Sequence, residues 1–186
     1  MPGIVVIYHS GYGHTQRQAQ AVADGAGARL IAIDADGNLP EGAWDELQAA
    51  DAIVFGSPTY MGGPSWQFKK FADATSKAWF AMAWRDKLFA GFTSSASVIG
   101  DKTSTLTYFF TLAMQHGGVW VGTGMAPANA RASRRDDLNW AGVWSGATAT
   151  SPIDASAAEM AEGDLKFAFE FGQRVAQAAA RWSREG

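Results

Sequence analysis

The sequence predicts an α/β domain: a three-layer sandwich with a five-stranded parallel sheet and helices on both faces. Three observations predict it. Short, continuous apolar runs recur along the chain, such as Ile4-Val5-Val6-Ile7, Leu30-Ile31-Ala32-Ile33 and Ala52-Ile53-Val54-Phe55-Gly56, and unbroken apolar strands belong to sheets buried on both sides. Segments of helical periodicity lie between these runs, so strand and helix alternate. The 186 residues amount to one domain, residues 1–186, long enough to bury a sizeable core.

Each element follows from its residues. Ile4 to Ile7 form strand one. In the next segment Ala19, Val22, Ala23 and Ala26 fall on one face at helical spacing. Strand two is 30–33, a loop covers 34–42, and 44–50 is a short helix. Strand three is 52–56, followed by a loop at 57–64. A helix then begins near Ser65 with Phe68, Phe71 and Ala72 inward. Strand four is 88–93. The helix over 103–116 turns Leu106, Phe109, Phe110 and Ala113 to one face. Strand five is 119–121, and a last helix runs over about 157–181. More than thirty residues separate these last two elements. Such a length is usually functional or structured in its own right, and 142–150 reads as a short strand extending the fifth.

Composition excludes several functions. The net charge of −3 without a long basic block argues against nucleic acid. No apolar run approaches the roughly 18 residues of a membrane span, so membrane insertion is not expected. A first strand at residue 4 leaves no room for a signal peptide, and the expected location is cytoplasmic. There is no cysteine, which removes disulfides, a thiolate nucleophile and a cysteine-held iron–sulfur cluster; any redox chemistry must sit on a bound cofactor. His9, His14 and His116 lack a metal-ligand spacing, and no metal site is expected.

Ligands of open parallel sheets bind beyond the carboxyl ends of the strands. Three loops of unusual composition leave those ends: Ser10-Gly11-Tyr12-Gly13-His14-Thr15, Ser57-Pro58-Thr59-Tyr60-Met61-Gly62-Gly63, and Thr93-Ser94-Ser95-Ala96-Ser97-Val98-Ile99-Gly100. All carry hydroxyls and at least one glycine, and none is rich in Arg or Lys. The first runs straight into a helix, whose free N–H groups and positive dipole end suit a phosphate. The Gly-Lys-Ser/Thr of a P-loop is missing. The third glycine of a dinucleotide fingerprint is replaced by Gln16, although Asp34 stands where its acidic residue would. A phosphorylated receiver domain would want Asp where Ser57 stands.

These stretches resemble the flavodoxin-like superfamily, and within it the tryptophan-repressor-binding-protein (WrbA) type of NAD(P)H:quinone oxidoreductase. The first two loops carry the resemblance together with Phe71-Ala72-Asp73-Ala74-Thr75, Trp79, Phe92-Thr93-Ser94-Ser95, His116-Gly117-Gly118 and Ser145-Gly146-Ala147-Thr148. It covers nearly the whole chain in order. The resemblance implies FMN as cofactor and NAD(P)H as electron donor, with hydride transfer to the flavin and then reduction of a quinone or similar flat acceptor. Position by position, Ser10, Gly11, Tyr12, Gly13, His14 and Thr15 would wrap the phosphate. Pro58, Thr59, Tyr60, Met61 and Gly62 would run beside the isoalloxazine ring. Ser94, Ser95, Ala96, Ser97, Val98 and Ile99 would face its pyrimidine edge and ribityl chain, and His116 would approach the ring. Tyr12 would also seat the nicotinamide and Trp79 would line the acceptor pocket; no side chain need act as a nucleophile. The family usually has Phe where Met61 stands and a glycine-rich third loop where Val98 and Ile99 stand. The resemblance further implies a homo-oligomer, a tetramer, with Trp66, Trp84 and Trp140 as candidates for burial between subunits. A flavodoxin-type electron carrier, or a flavin-binding scaffold with little turnover, is the alternative. Carriers usually present a strongly acidic face, which −3 and the Arg134-Arg135 pair do not favour.

Overall fold

The computed structural model describes residues 3–183. The fully buried strand β1 (Ile4–His9) sits inside a parallel sheet of order β2-β1-β3-β5-β6, with β2 at Arg29–Ile33, β3 at Ala52–Tyr60, β5 at Leu88–Ser95 and β6 at Val119–Trp120. Order reverses between β1 and β3, so the cleft of this doubly wound sheet opens above their carboxyl ends. Because successive strand side chains point to opposite faces, β1 feeds two cores. Ile4, Val6 and Tyr8 pack under helices α1 (His14–Ala26) and α6 (Glu162–Trp182), whereas Val5 and Ile7 pack under α2 (Ala43–Ala49), α3 (Trp66–Ala74) and α5 (Lys102–Gln115).

Helices α1 and α6 cross at two glycines. A Cβ on Gly25 would lie 2.0 Å from the Phe169 carbonyl oxygen, and one on Gly172 would lie 2.1 Å from that of Val22. The backbones therefore touch directly, which fixes the first helix and the loop that opens it.

Three elements differ from the pattern in the sequence. β3 continues through residues 57–60, which read as loop, because Ser57 and Pro58 stay in register with Thr93 and Ser94 of β5. Tyr60 then turns back through Met61 (φ 48°) and Gly62 (φ 77°) into β4 (Gly63–Pro64). Two consecutive positive φ values are the geometry of a tight hairpin. The expected strand within 142–150 is present as β7 (Ala147–Thr150), which pairs with the carboxyl half of β5 while β6 pairs with its start. Position five of the sheet is thus filled by two strands with residues 121–146 looping out between them. Phe110 is not inward: it is 43% exposed and meets Trp120 edge-on.

Candidate functional site

The carboxyl ends of β1, β3, β5 and β7 surround a cavity of about 660 Å³. Its floor begins with the first loop. Gly13 sits at φ 89° as the residue before α1, a left-handed geometry that glycine adopts without strain. Its N–H donates to Ser10 Oγ at 3.1 Å, which holds the loop in shape. The first-turn amides of a helix have no intrahelical acceptor, no side chain caps α1, and its first turn carries no acidic residue. Gly11 leaves room for a neighbour: a Cβ there would be 2.6 Å from the Tyr60 hydroxyl, which would have to shift.

The other two loops are cross-tied. Thr15 Oγ1 and Ser94 Oγ share a buried 2.9 Å hydrogen bond. Thr59 Oγ1 meets both Thr93 Oγ1 and Thr105 Oγ1 at 2.8 Å. Ser10, Tyr12, His14, Thr15, Pro58, Thr59, Tyr60, Ser94, Ser95 and Ala96 line the cavity. Met61, Gly62 and Ser97 border an adjoining cavity of about 440 Å³ that shares Thr59, Ser95 and Ala96 with the first. Val98 and Ile99 line neither and stand at the rim, 48% and 80% exposed. The positive φ values of this stretch fall on Gly100 and Asp101 instead, so the β-branched pair is accommodated without strain.

Two expected residues are placed elsewhere. His116 is 1% exposed, packed on Trp84 at 4.6 Å and close to Phe89 near the start of β5, whereas the cavity residues end that strand. At about 3.3 Å per residue, the separation along β5 is on the order of 17 Å. Thr75 Oγ1 already donates to the Ala72 carbonyl, so His116 Nε2–H donates to Thr75 Oγ1 at 2.9 Å. Burial lowers the imidazole pKa, and the neutral ring anchors α5. Trp79 lies on α4 (Ser76–Phe80), 45% exposed and outside the cavity. Of the three tryptophans expected between subunits, Trp84 is 1% exposed in the core, Trp66 is 60% exposed, and Trp140 is covered by the Arg135 guanidinium at 4.9 Å.

Sequence reasoning missed two groups. One is the segment after β7: Ser151, Pro152, Ile153, Ala155, Ser156 and Ala157 complete the cavity. The length of the segment before the last helix was its only signal. The other is Lys102, a buried lysine in the first turn of α5. Its Nζ donates to Ser95 Oγ at 2.9 Å and the Ser97 carbonyl at 2.7 Å, holding the third loop from beneath. Burial, the main cause, and the nearby Arg135 lower its pKa to about 8 against the opposing pull of Asp164.

The donor set fits a flavin mononucleotide. Free first-turn amides and hydroxyls suit a phosphate where no carboxylate repels it. The Ser151 hydroxyl, buried in the wall, has no hydrogen-bond partner among the described residues.

Comparison with known proteins agrees. Residues 36–132 match the family described as NADPH-dependent FMN reductase. Flavodoxin FldP of Pseudomonas aeruginosa is 55% identical over 177 residues, covering 95% of this chain and 96% of that protein. An NAD(P)H dehydrogenase (quinone) of Geobacter sulfurreducens is 32% identical over 209 residues, covering 96% and 98%. Among solved structures, a flavodoxin, WrbA-like protein from Agrobacterium tumefaciens superposes with a TM-score of 0.80 at 52% identity, covering 97% of this chain and 99% of that one.

Proposed function

The chain belongs to the NADPH-dependent FMN reductase family, in its flavodoxin-like, WrbA-type branch, and from that premise we propose that it is an FMN-dependent oxidoreductase moving two electrons from NADH or NADPH to a quinone or a similar flat acceptor. The observation that carries the proposal is the mixed lining of the cavity. It combines the amide and hydroxyl donors of the binding loops with exposed aromatic side chains, Tyr12 at 80% and Tyr60 at 40%, set edge-on at 6.5 Å.

FMN, when bound, supplies the two-electron chemistry. The chain binds and orients. Ser10 to Thr15 hold the phosphate through N–H and O–H groups. Thr59, fixed by its two threonine partners, and residues 94–97 receive the polar edge of the ring. Tyr12 and Tyr60 leave one side open for a nicotinamide or quinone to stack. Desolvation, and then the neighbouring Tyr12, raise the Tyr60 pKa, so its phenol stays neutral and donates.

Trp79, Phe80 and Met82 form an exposed apolar group around α4. We read them as a surface covered in a homo-oligomer, a tetramer by family resemblance, in which Trp79 borders the acceptor pocket. Consumption of NAD(P)H suits a cytoplasmic protein. Among the described residues no helix is long and apolar enough to cross a membrane.

A second reading, an electron carrier, draws on the relative named flavodoxin at 55% identity. Anaerobic titration of the FMN-loaded protein separates the two. An oxidoreductase of this kind loses its flavin absorbance on addition of NADH or NADPH alone and regains it with benzoquinone. Absorbance unchanged by either nicotinamide, together with reduction by dithionite, would replace the enzyme with the carrier.

A further inference from the structure

The segment from Ser151 to Ala157 crosses the cavity from one binding loop to another. It starts at the third loop, where the Ser151 N–H donates to the Ser95 carbonyl at 3.0 Å. It ends on the first: His14 Nε2 bonds the Ala155 carbonyl at 2.9 Å, and Arg17 Nη1 donates to the Ala157 carbonyl at 2.5 Å. Ala157 packs against the loop itself, 3.4 Å from where a Gly13 Cβ would be. The capping box at Ser156, whose N–H and Oγ both meet Glu159 at 2.9 and 2.8 Å, fixes this far end.

Within this wall the Ser151 side chain is the anomaly. Its residue is 6% exposed, it lines the cavity, and its Oγ has no partner among the described residues. A buried hydroxyl left unpaired is costly, and a polar ligand atom against the wall would relieve that cost. Ser151 sits at the Ser95 end of the wall, and the stretch that meets the first loop follows at Ala155 and Ala157.

We propose that the 151–157 wall determines ligand specificity: Ser151 Oγ binds the polyhydroxyl chain of the flavin, and the stretch latched to α1 by His14 and Arg17 closes the phosphate end against a second nucleotide. The proposal rests on the FMN reading. The phosphate of FMN ends at the first loop, whereas the diphosphate of FAD must continue through the position that Ala155 and Ala157 occupy.

The experiment measures dissociation constants of FMN, riboflavin and FAD by quenching of flavin fluorescence, on the apoprotein and two variants, with apoprotein melting temperatures as the control for folding. Ser151→Ala is expected to weaken FMN and riboflavin by the same factor, about five- to tenfold, as for loss of one neutral hydrogen bond. Ser151→Thr, which keeps the hydroxyl, should restore most of it. FAD should bind the parent protein at least a hundredfold more weakly than FMN, and Arg17→Met, which removes a latch, should narrow that ratio at least tenfold. If Ser151→Ala binds both flavins as the parent does, or if the parent binds FAD as well as FMN, the wall is not the specificity element and the proposal falls. Failure of the parent to bind FMN at all would instead overturn the FMN reading on which it rests.

Discussion

Replacing Asp164 by Ala should destabilise the protein through a clamp at the back of the cavity. Arg135 Nη1 and Nη2 reach Asp164 Oδ1 and Oδ2 at 2.9 and 2.6 Å, and the Thr150 N–H donates to Oδ2 at 2.8 Å. The pair joins the long 121–146 excursion to the start of α6 and the end of β7. Its side chains are 34% and 10% exposed. Breaking a fully buried pair costs about 3–5 kcal/mol, but a third-exposed guanidinium recovers part of that in water. The Thr150 amide loses its acceptor. We expect a loss of about 2–4 kcal/mol, which for a chain of this size lowers the melting temperature by roughly 4–15 °C. A cycle with Arg135→Ala and the double variant, read by chemical denaturation, should return a coupling of about 1–3 kcal/mol. A melting temperature for Asp164→Ala within one or two degrees of the parent (~2 °C at most, against the shift above), with single costs that simply add, would refute the clamp.

Two further outcomes follow from buried geometry. Gly172→Ala puts a methyl 2.1 Å from a backbone oxygen that cannot rotate away, so α1 and α6 must separate; a loss of about 1–3 kcal/mol or more is expected in thermal melts, and an unchanged midpoint would mean the crossing is looser than described. Lys102 predicts a pH effect. Its folded pKa, about 8, lies below the ordinary lysine value of about 10.4, so in between the unfolded chain binds more protons and stability rises with pH. Urea midpoints should climb from about pH 8 to 9.5, below the range where the raised tyrosines titrate, and Lys102→Met should flatten the climb. A midpoint that falls across that window in the parent would contradict the burial of the ammonium.

The parts legible in the sequence are those where one local property decides the outcome. The apolar runs became central strands because nothing but a doubly covered sheet buries them. Gly13 and the hydroxyls of Ser10 and Thr15 marked a loop that does line the cavity at a helix start, because a strand running straight into a helix needs a tight turn there. The differences have the opposite origin. The resemblance implies a site role for His116, but its location beside Trp84 and Phe89 depends on which end of β5 the preceding helix returns to, a tertiary matter. Residues 57–60 read as loop from Pro58 and Ser57, yet a register shared with β5 keeps them extended. Lys102 and Ser151 were silent because a buried lysine and an unpaired serine are defined by what surrounds them, and the groups around Lys102 include a charge 62 positions away, Asp164.

The divided fifth strand sets an order of assembly. Once synthesis has passed Trp120, four full strands and the short β4 and β6 have been made, with all three binding loops. The site is still open on one side, because β7 must follow the whole 121–146 excursion before it can pair with the last four residues of β5. The wall at 151–157 follows β7, and α6, which carries Asp164 and packs on α1, comes last. Chains fold as they emerge, from the amino end, so the nascent protein reaches a nearly complete sheet before it can enclose a ligand. The wall that closes the cavity is thus the last part of its lining to be made.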